Sequence, residues 1–231
     1  MLSVVPTPIG NLRDITLRAL DALKAADLVV CEDTRRTAKL LAAYEIKKPM
    51  MSFHEHSGPG RAAAVMDQAK TGNVALVSDG GTPLISDPGF DLVREALRSR
   101  IPVEVLPGPC AAVSALVSSG LAVDAFSFFG FLPAKSGARR TALKKIETRE
   151  ETLIFYESPY RLVSALEDMC LVLGDREAAV ARELTKKFEE ISRGKFSEIL
   201  TRFSRGKVLG EIVILVSGKD RKTLFGSGEA C

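Results

Sequence analysis

At 231 residues, with 46% hydrophobic and 26% charged side chains and a net charge of +3, the chain has ordinary globular composition and room for one large or two modest domains. That mild positive balance permits a nucleic-acid partner without demanding one. The four cysteines, Cys31, Cys110, Cys170 and Cys231, form no C-x-x-C pair, which argues against a zinc ribbon or a disulfide framework and for reduced thiols in a cytoplasmic protein.

"MLSVVPTPIG" has no basic stretch before its apolar run and breaks at Pro6, unlike a signal peptide, and no apolar run nears the ~20 residues of a membrane span. "LSVV" (2–5) reads as a short buried strand, and "TLRALDALKAA" as a helix with Leu17, Leu20 and Leu23 on one face. Strands at "LVVC", "MMSF", "NVALVS" and "VEVLP" alternate with helices at "TRRTAKLLAAY", "RAAAVMDQAK", "FDLVREAL" and "CAAVSALVSS". Asp87-Pro88 reads as the start of the third of these helices, with Phe90, Val93 and Leu97 on its buried face. Alternating apolar strands and helices imply a mostly parallel sheet covered on both faces.

The pattern changes at "GLAVDAFSFFGFLPAKSG", which sets a domain boundary near residue 122. Beyond it come a basic helix, "ARRTALKKIETREE", a strand, "TLIFY", and a helix capped by Ser158-Pro159 that carries Leu162, Leu166, Met169 and Leu173 on one face. A hairpin within "AAVARELTKKFEEISRGK", a helix "FSEILTRF" and a last strand "EIVILVS" follow. The expected fold is thus two α/β domains: residues 1–122 with a mostly parallel sheet flanked by helices, 123–218 with a mixed sheet, and a short frayed tail at 219–231.

Three loops that leave strands of the first domain share one makeup, rich in glycine and proline. They are "PTPIGNLRDIT", "SDGGTPLISDP" and "PGPCAA". In open α/β sheets ligands bind beyond the carboxyl ends of the strands. Glycine permits close backbone approach and proline fixes the path, so such loops offer main-chain groups to a small polar ligand. A single such loop is only a turn; three at strand ends favour a shared ligand site. Neither G-x-G-x-x-G nor the Walker pattern occurs, which disfavours a dinucleotide or a triphosphate.

"VVPTPIGNLRDITLRALDALKAADLVVCEDTRRTAKLL", "VSDGGTPLISDPGFDLV", "VEVLPGPCAAVSAL", "FFGFLPAK" and "FYESPYRL" together resemble the tetrapyrrole methylase superfamily, the class III S-adenosylmethionine-dependent methyltransferases. "CEDTRRT", "SFHEH" and "RELTKKFEE" resemble its RNA-methylating branch, because those stretches are not needed to hold the methyl donor. The resemblance implies S-adenosylmethionine in a cleft between the domains, with its methionine part at Gly80, Gly81, Thr82 and Ile85 and bordered by Pro8. It implies donor contacts at Cys110 and Ala111, and an adenosine side at Tyr156 and Glu157 and around Glu211 and Ile212. It further implies a cytidine 2′-hydroxyl in the decoding region of small-subunit (16S) rRNA as acceptor, small-subunit rRNA or the small subunit as partner, and a homodimer, with no membrane and no DNA partner. Proteins of this branch usually continue past the last strand with a small basic helical segment, whereas this sequence stops at Cys231. If that segment seats the RNA, fewer contacts or a partner's help are expected here.

Individual residues carry competing readings. Asp79 either meets the donor's ammonium, lines the acceptor site or caps its own loop. In "CEDTRRT", Arg35 and Arg36 are candidates for RNA phosphate or ribose, oriented by Glu32 and Asp33, against a solvated helix start. His54 and His56 flank Glu55, but no further ligand cluster accompanies them, so RNA contact or a surface loop outweighs a metal site. Arg139 and Arg140 head the best basic stripe for RNA, with a solvated helix face as the alternative. Arg161, Arg182 and Lys186 are phosphate candidates, whereas Lys187 reads as ordinary surface charge. Phe126, Phe128, Phe129 and Phe131 read as core or dimer interface. No residue declares itself as the base; Glu157 and His54 are the candidates. Methylation of a tetrapyrrole-like small molecule, or donor binding by a catalytically idle ribosome-assembly factor, are the alternative functions.

Overall fold

The computed structural model describes residues 1–54 and 57–221. They form two compact units, Met1–Cys110 and Ala111 onward.

In the first unit, strands β1 (Leu2–Val4), β2 (Leu28–Cys31), β3 (Met50–Ser52), β4 (Val74–Leu76) and β5 (Val103–Val105) alternate with helices α1 (Leu17–Ala25), α2 (Thr34–Ala43), α3 (Pro59–Thr71) and α4 (Phe90–Arg98). The sheet order is β3-β2-β4-β1-β5, and every pair is parallel. Short runs such as "VAL" and "LVVC" are buried on both faces, as a helix-covered parallel sheet requires. One face packs Leu2, Val4, Val30, Leu76, Leu92 and Ala96; the other packs Val5, Leu23, Val29, Ala75 and Val77. Fully burying such a side chain contributes on the order of 1.5–3 kcal/mol.

Two details differ from expectation. Helix α4 is capped by Gly89, with φ +123° and no side-chain bond, rather than by Asp87. Its core-facing pair is Leu92 and Ala96, with Val93 partly buried, while Phe90 and Leu97 stay exposed. In α1, Thr16 caps by accepting from Ala19 N at 3.1 Å. Leu17, at the first helical position, is 80% exposed and Ala19 takes its expected place in the core.

The second unit contains α5 (Ala111–Ser119), β6 (Phe126–Phe131), α6 (Ser136–Lys144), β7 (Thr152–Glu157), α7 (Leu162–Leu173), β8 (Glu177–Arg182), β9 (Glu190–Lys195), α8 (Phe196–Phe203) and β10 (Ile212–Val216). Its sheet runs β6-β7-β10-β8-β9, parallel only between β6 and β7 and antiparallel elsewhere. The division falls before α5, ahead of the boundary expected near residue 122, because α5 packs on β7, β8 and β10 of this sheet. Strand β6 is an addition to the elements read from sequence. Its register shifts between Phe128 and Phe131 at Gly130, a bulge that obscures the period of two. Phe129 joins the core and stacks on Phe155 at 5.3 Å, while Phe126 and Phe131 remain largely exposed. Helix α7 buries Leu162, Leu166, Met169 and Leu173 as expected, but its N-cap is Arg161, not Ser158. Among the described residues no helix is long and apolar enough to cross a membrane.

Candidate functional site

The order β4-β1-β5 places three consecutive carboxyl ends side by side, with Val4 registered against both Leu76 and Val105. The three loops singled out by their glycines and prolines are the continuations of these strands. They are tied together by main-chain and hydroxyl bonds. Thr7 N–H donates to Gly81 O and Gly81 N–H to Thr7 O, both at 2.9 Å. The Thr7 hydroxyl donates to Ser78 O and the Ser78 hydroxyl to Gly81 O, both at 3.2 Å. The Thr82 hydroxyl donates to Pro109 O at 2.9 Å, joining the β4 loop to the β5 loop. Thr7 and Ser78 are buried. Neither stands out in the sequence, although a hydroxyl between two prolines in "PTP" is the signal that would have found Thr7.

Two glycines make this stitching feasible. Gly81 has φ +93°, and a Cβ there would stand 3.2 Å from Ile9 Cγ2 and 3.7 Å from Pro109 O. A Cβ on Gly108 would fall 2.6 Å from Pro6 Cβ. Beyond Gly81 the chain holds Leu84 and Ser86 at φ +72° and +62°, left-handed values that disfavour side chains with a Cβ. The resulting surface offers main chain at Gly80, with Thr82 half-buried, Ile85 exposed and Pro8 buried beside them. Cys110, half-buried, ends the same unit, and Ala111 opens α5 in the next.

Asp79 is engaged within the protein. Its Oδ1 accepts from Asp33 N–H at 3.2 Å and its Oδ2 meets the Arg36 guanidinium at 3.2 Å. Asp79 therefore bolts the β4 loop to the start of α2. Asp33 caps α2 through Arg35 N–H and also pairs with the Arg35 guanidinium at 2.8 Å. Hydrogen bonds from the Arg35 side chain, then from its backbone, hold the Asp33 carboxyl well below the usual carboxylate range. Arg35 and Arg36 thus stand at the same sheet edge with their heads exposed and their orientation set by carboxylates. Burial raises the Cys31 thiol above its ordinary value. His54 is exposed just past β3, its N–H donating to Ser57 Oγ; His56 lies outside the described residues.

In the second unit another group of the expected residues meets at one sheet edge. Ile212 is registered against Glu157 on one side and Arg182 on the other. Glu157 is 3% exposed; its Oε1 accepts from Ser158 N–H at 2.7 Å and from Arg161 at 2.8 and 2.6 Å. A carboxylate so enclosed orients Arg161, and the bonds to its Oε1 compete with its expected part as a base. Tyr156 lies against Phe128 and Phe131, edge to face at 4.9 and 5.8 Å. Arg182 is paired with Glu190 at 2.9 Å. Lys186 bridges Glu183 at 2.8 Å and Glu211 at 3.0 Å. These two cations brace the β8–β9 connection instead of standing free for phosphates.

Arg139 is a clear correction to the basic stripe. It is 2% exposed and donates to Asp168 Oδ2 at 2.7 Å and to the Ala134 and Ser164 carbonyls. A buried guanidinium with a full set of acceptors is a structural cation and cannot reach RNA. Arg140, half-exposed, shares the other Asp168 oxygen. Burial alone would raise the Asp168 carboxyl; hydrogen bonds from Arg140, Ser136 and Arg139 outweigh it and hold the group below its ordinary value. The sequence shows two adjacent arginines and no sign of which one turns inward.

The comparisons with known proteins agree with this architecture. The family model for tetrapyrrole (corrin/porphyrin) methylases matches residues 1–200. The protein named ribosomal RNA small subunit methyltransferase I of Thermotoga maritima is 48% identical over 220 residues, spanning 95% of this chain and 99% of that one. Its namesake in Vibrio cholerae is 49% identical over 222 residues, spanning 94% and 77%. Among solved structures, a uroporphyrin-III C-methyl transferase from Thermus thermophilus, complexed with S-adenyl homocysteine, superposes with a TM-score of 0.66 at 20% identity, over 94% of this chain and 96% of that one. A diphthine synthase gives 0.71 at 15% identity, over 94% and 90%. These last two likenesses speak for the fold alone. The family match and the near-half identity settle the kinship: the chain belongs to the tetrapyrrole methylase family and, within it, to the proteins named ribosomal RNA small subunit methyltransferase I.

Proposed function

We propose that the chain transfers a methyl group from S-adenosylmethionine to the 2′-hydroxyl of a cytidine in the decoding region of small-subunit rRNA. The observation that carries this reading is the stitched edge of the first unit, where exposed Gly80 and half-buried Thr82 flank a buried Gly81 whose own N–H and C=O are bonded to Thr7 and whose place a side chain would disturb. Such a surface fits a zwitterionic nucleoside, whose amino-acid part needs donors and acceptors at short range. Pro8, Ile85 and Cys110 would border it. Kinship with the rRNA methyltransferases supports RNA as the acceptor.

The donor supplies an electrophilic methyl on a sulfonium. The protein's part is to hold its two substrates so that oxygen, carbon and sulfur lie in line, an alignment that contributes up to ~7–11 kcal/mol in favourable systems. The lattice of bonds among Thr7, Ser78, Gly81 and Thr82 keeps that edge rigid. Arg35 and Arg36, already aimed by Asp33 and Asp79, meet phosphate with little further ordering. With Glu157 committed to Arg161, His54 remains as the candidate base.

Tritiated donor offered with small ribosomal subunits, free rRNA or uroporphyrinogen tests the reading. Label in the RNA of the subunits or in free rRNA is expected. Label in the macrocycle would make the chain a small-molecule methylase, and donor binding with no transfer an assembly factor.

A further inference from the structure

The connection between β8 and β9, residues 183–189, is braced far beyond what a hairpin turn needs. Glu183 and Thr185 adopt left-handed φ of +54° and +64°. Thr185 N–H donates to Glu189 Oε2 at 2.6 Å, Lys186 N–H to Glu183 O at 3.0 Å and Glu189 N–H to Lys186 O at 3.1 Å. Lys186 ties Glu183 to Glu211, and Glu211 N–H donates to the same Glu183 carboxylate at 3.0 Å. Left-handed conformations at residues with side chains persist only where the surroundings over-determine them. What this frame holds out is Phe188, 67% exposed, with the Lys187 ammonium 5.6 Å from its ring centroid.

A lone exposed apolar side chain is ordinary on a protein surface. An aromatic ring fixed on a rigid tip, with a cation at hand, is the arrangement that receives an unstacked nucleobase: the ring offers a face, the ammonium a partner for the backbone charge, and little ordering remains to oppose binding. We propose that Phe188, with Lys187 beside it, is a stacking platform for a single-stranded nucleobase of the RNA substrate. The assignment rests on the RNA reading above and adds to it a contact that neither the fold nor the donor requires.

The chain contains no tryptophan, so Phe188→Trp installs a single reporter whose emission a stacked base quenches. The titrant is a single-stranded RNA of decoding-region sequence, and Leu171→Trp, at an exposed position of α7, is the reference. Quenching by about half or more in the Phe188→Trp variant, and by little in the Leu171→Trp variant, is expected. Phe188→Ala should raise the apparent KM for RNA roughly 5- to 150-fold, the range for loss of one base–aromatic stack, leaving donor affinity unchanged; Phe188→Trp should keep the wild-type KM. Unchanged emission from the Phe188→Trp variant overturns the proposal, whether the RNA binds elsewhere or not at all. The two readings separate cleanly. Quenching with no methyl transfer by the wild type keeps the platform and removes the transferase reading, and transfer with an unquenched Phe188→Trp reporter does the reverse.

Discussion

Replacing Gly81 with alanine is the sharpest perturbation of the stitched edge. At φ +93° a residue with a Cβ is disfavoured by about 1–2 kcal/mol. The new methyl would also stand 3.2 Å from Ile9 Cγ2, so Ile9 or the loop must yield by a few tenths of an ångström. That shift strains the reciprocal Thr7–Gly81 bonds, each 2.9 Å long and each with a net contribution of about 0.5–1.5 kcal/mol. Together these give a loss of roughly 2–3 kcal/mol, or about 4–12 °C in Tm for a chain of this size. Gly80→Ala is the matched control: its Cβ would make an ordinary 3.4 Å contact with Pro8 O and should change stability by less than about 1 kcal/mol. Scanning calorimetry reads the first effect, and titration calorimetry with S-adenosylmethionine reads the second, an affinity at least about ten-fold weaker for Gly81→Ala. Wild-type melting and wild-type donor affinity in that variant would refute the reasoning.

The two neighbouring arginines of α6 should part company in urea. Arg139→Ala takes the buried cation from Asp168, leaving it to Ser136 and the half-exposed Arg140, and should lose up to about 3–5 kcal/mol, whereas Arg140→Ala should lose less than about 1 kcal/mol. Asp168 lies below its ordinary value of 3.8 in the folded protein. Its stabilising contribution is therefore complete above about pH 3.8 and fades as pH falls through the lower folded value, so the stability gap between wild type and Asp168→Asn should narrow below about pH 3.8. Glu157→Gln should lower the methylation rate while preserving the shape of the pH–rate profile; disappearance of the acidic limb would restore Glu157 as the base. Thr82→Val removes the tether to Pro109 O and should weaken donor binding several-fold with Tm lowered by only a few degrees.

Periodicity and punctuation made most of the fold legible. Runs such as "NVALV" and "EIVILV" are apolar because both faces of their strands are covered, and that feature survives without knowledge of neighbours. What escaped was set by tertiary contacts. Phe90 and Leu92 look alike in sequence; the left-handed Gly89 fixes where α4 begins and so which of them faces the core. The bulge at Gly130 hid β6. At the site, the glycine and proline loops announced themselves, since main-chain exposure leaves a compositional trace. The ion pairs did not: Asp79 in the β4 loop meets Arg36 in helix α2, and Arg139 meets Asp168 across two helices, at separations no local spacing encodes. Phe188 lies in "RELTKKFEE", a stretch that resembles the RNA-methylating branch, but nothing there separates the phenylalanine from the charges around it; only the braced backbone does.

The central claim, 2′-O-methylation of a cytidine in small-subunit rRNA, meets its most direct test in the chemistry of the product. A ribose methylated at O2′ has lost the nucleophile of alkaline cleavage. Small subunits incubated with enzyme and donor should therefore yield RNA with one new alkali-resistant linkage, in the decoding region, and nuclease digestion should release 2′-O-methylcytidine by mass spectrometry. A methyl found on a base, with every linkage still cleaved by alkali, would contradict the account.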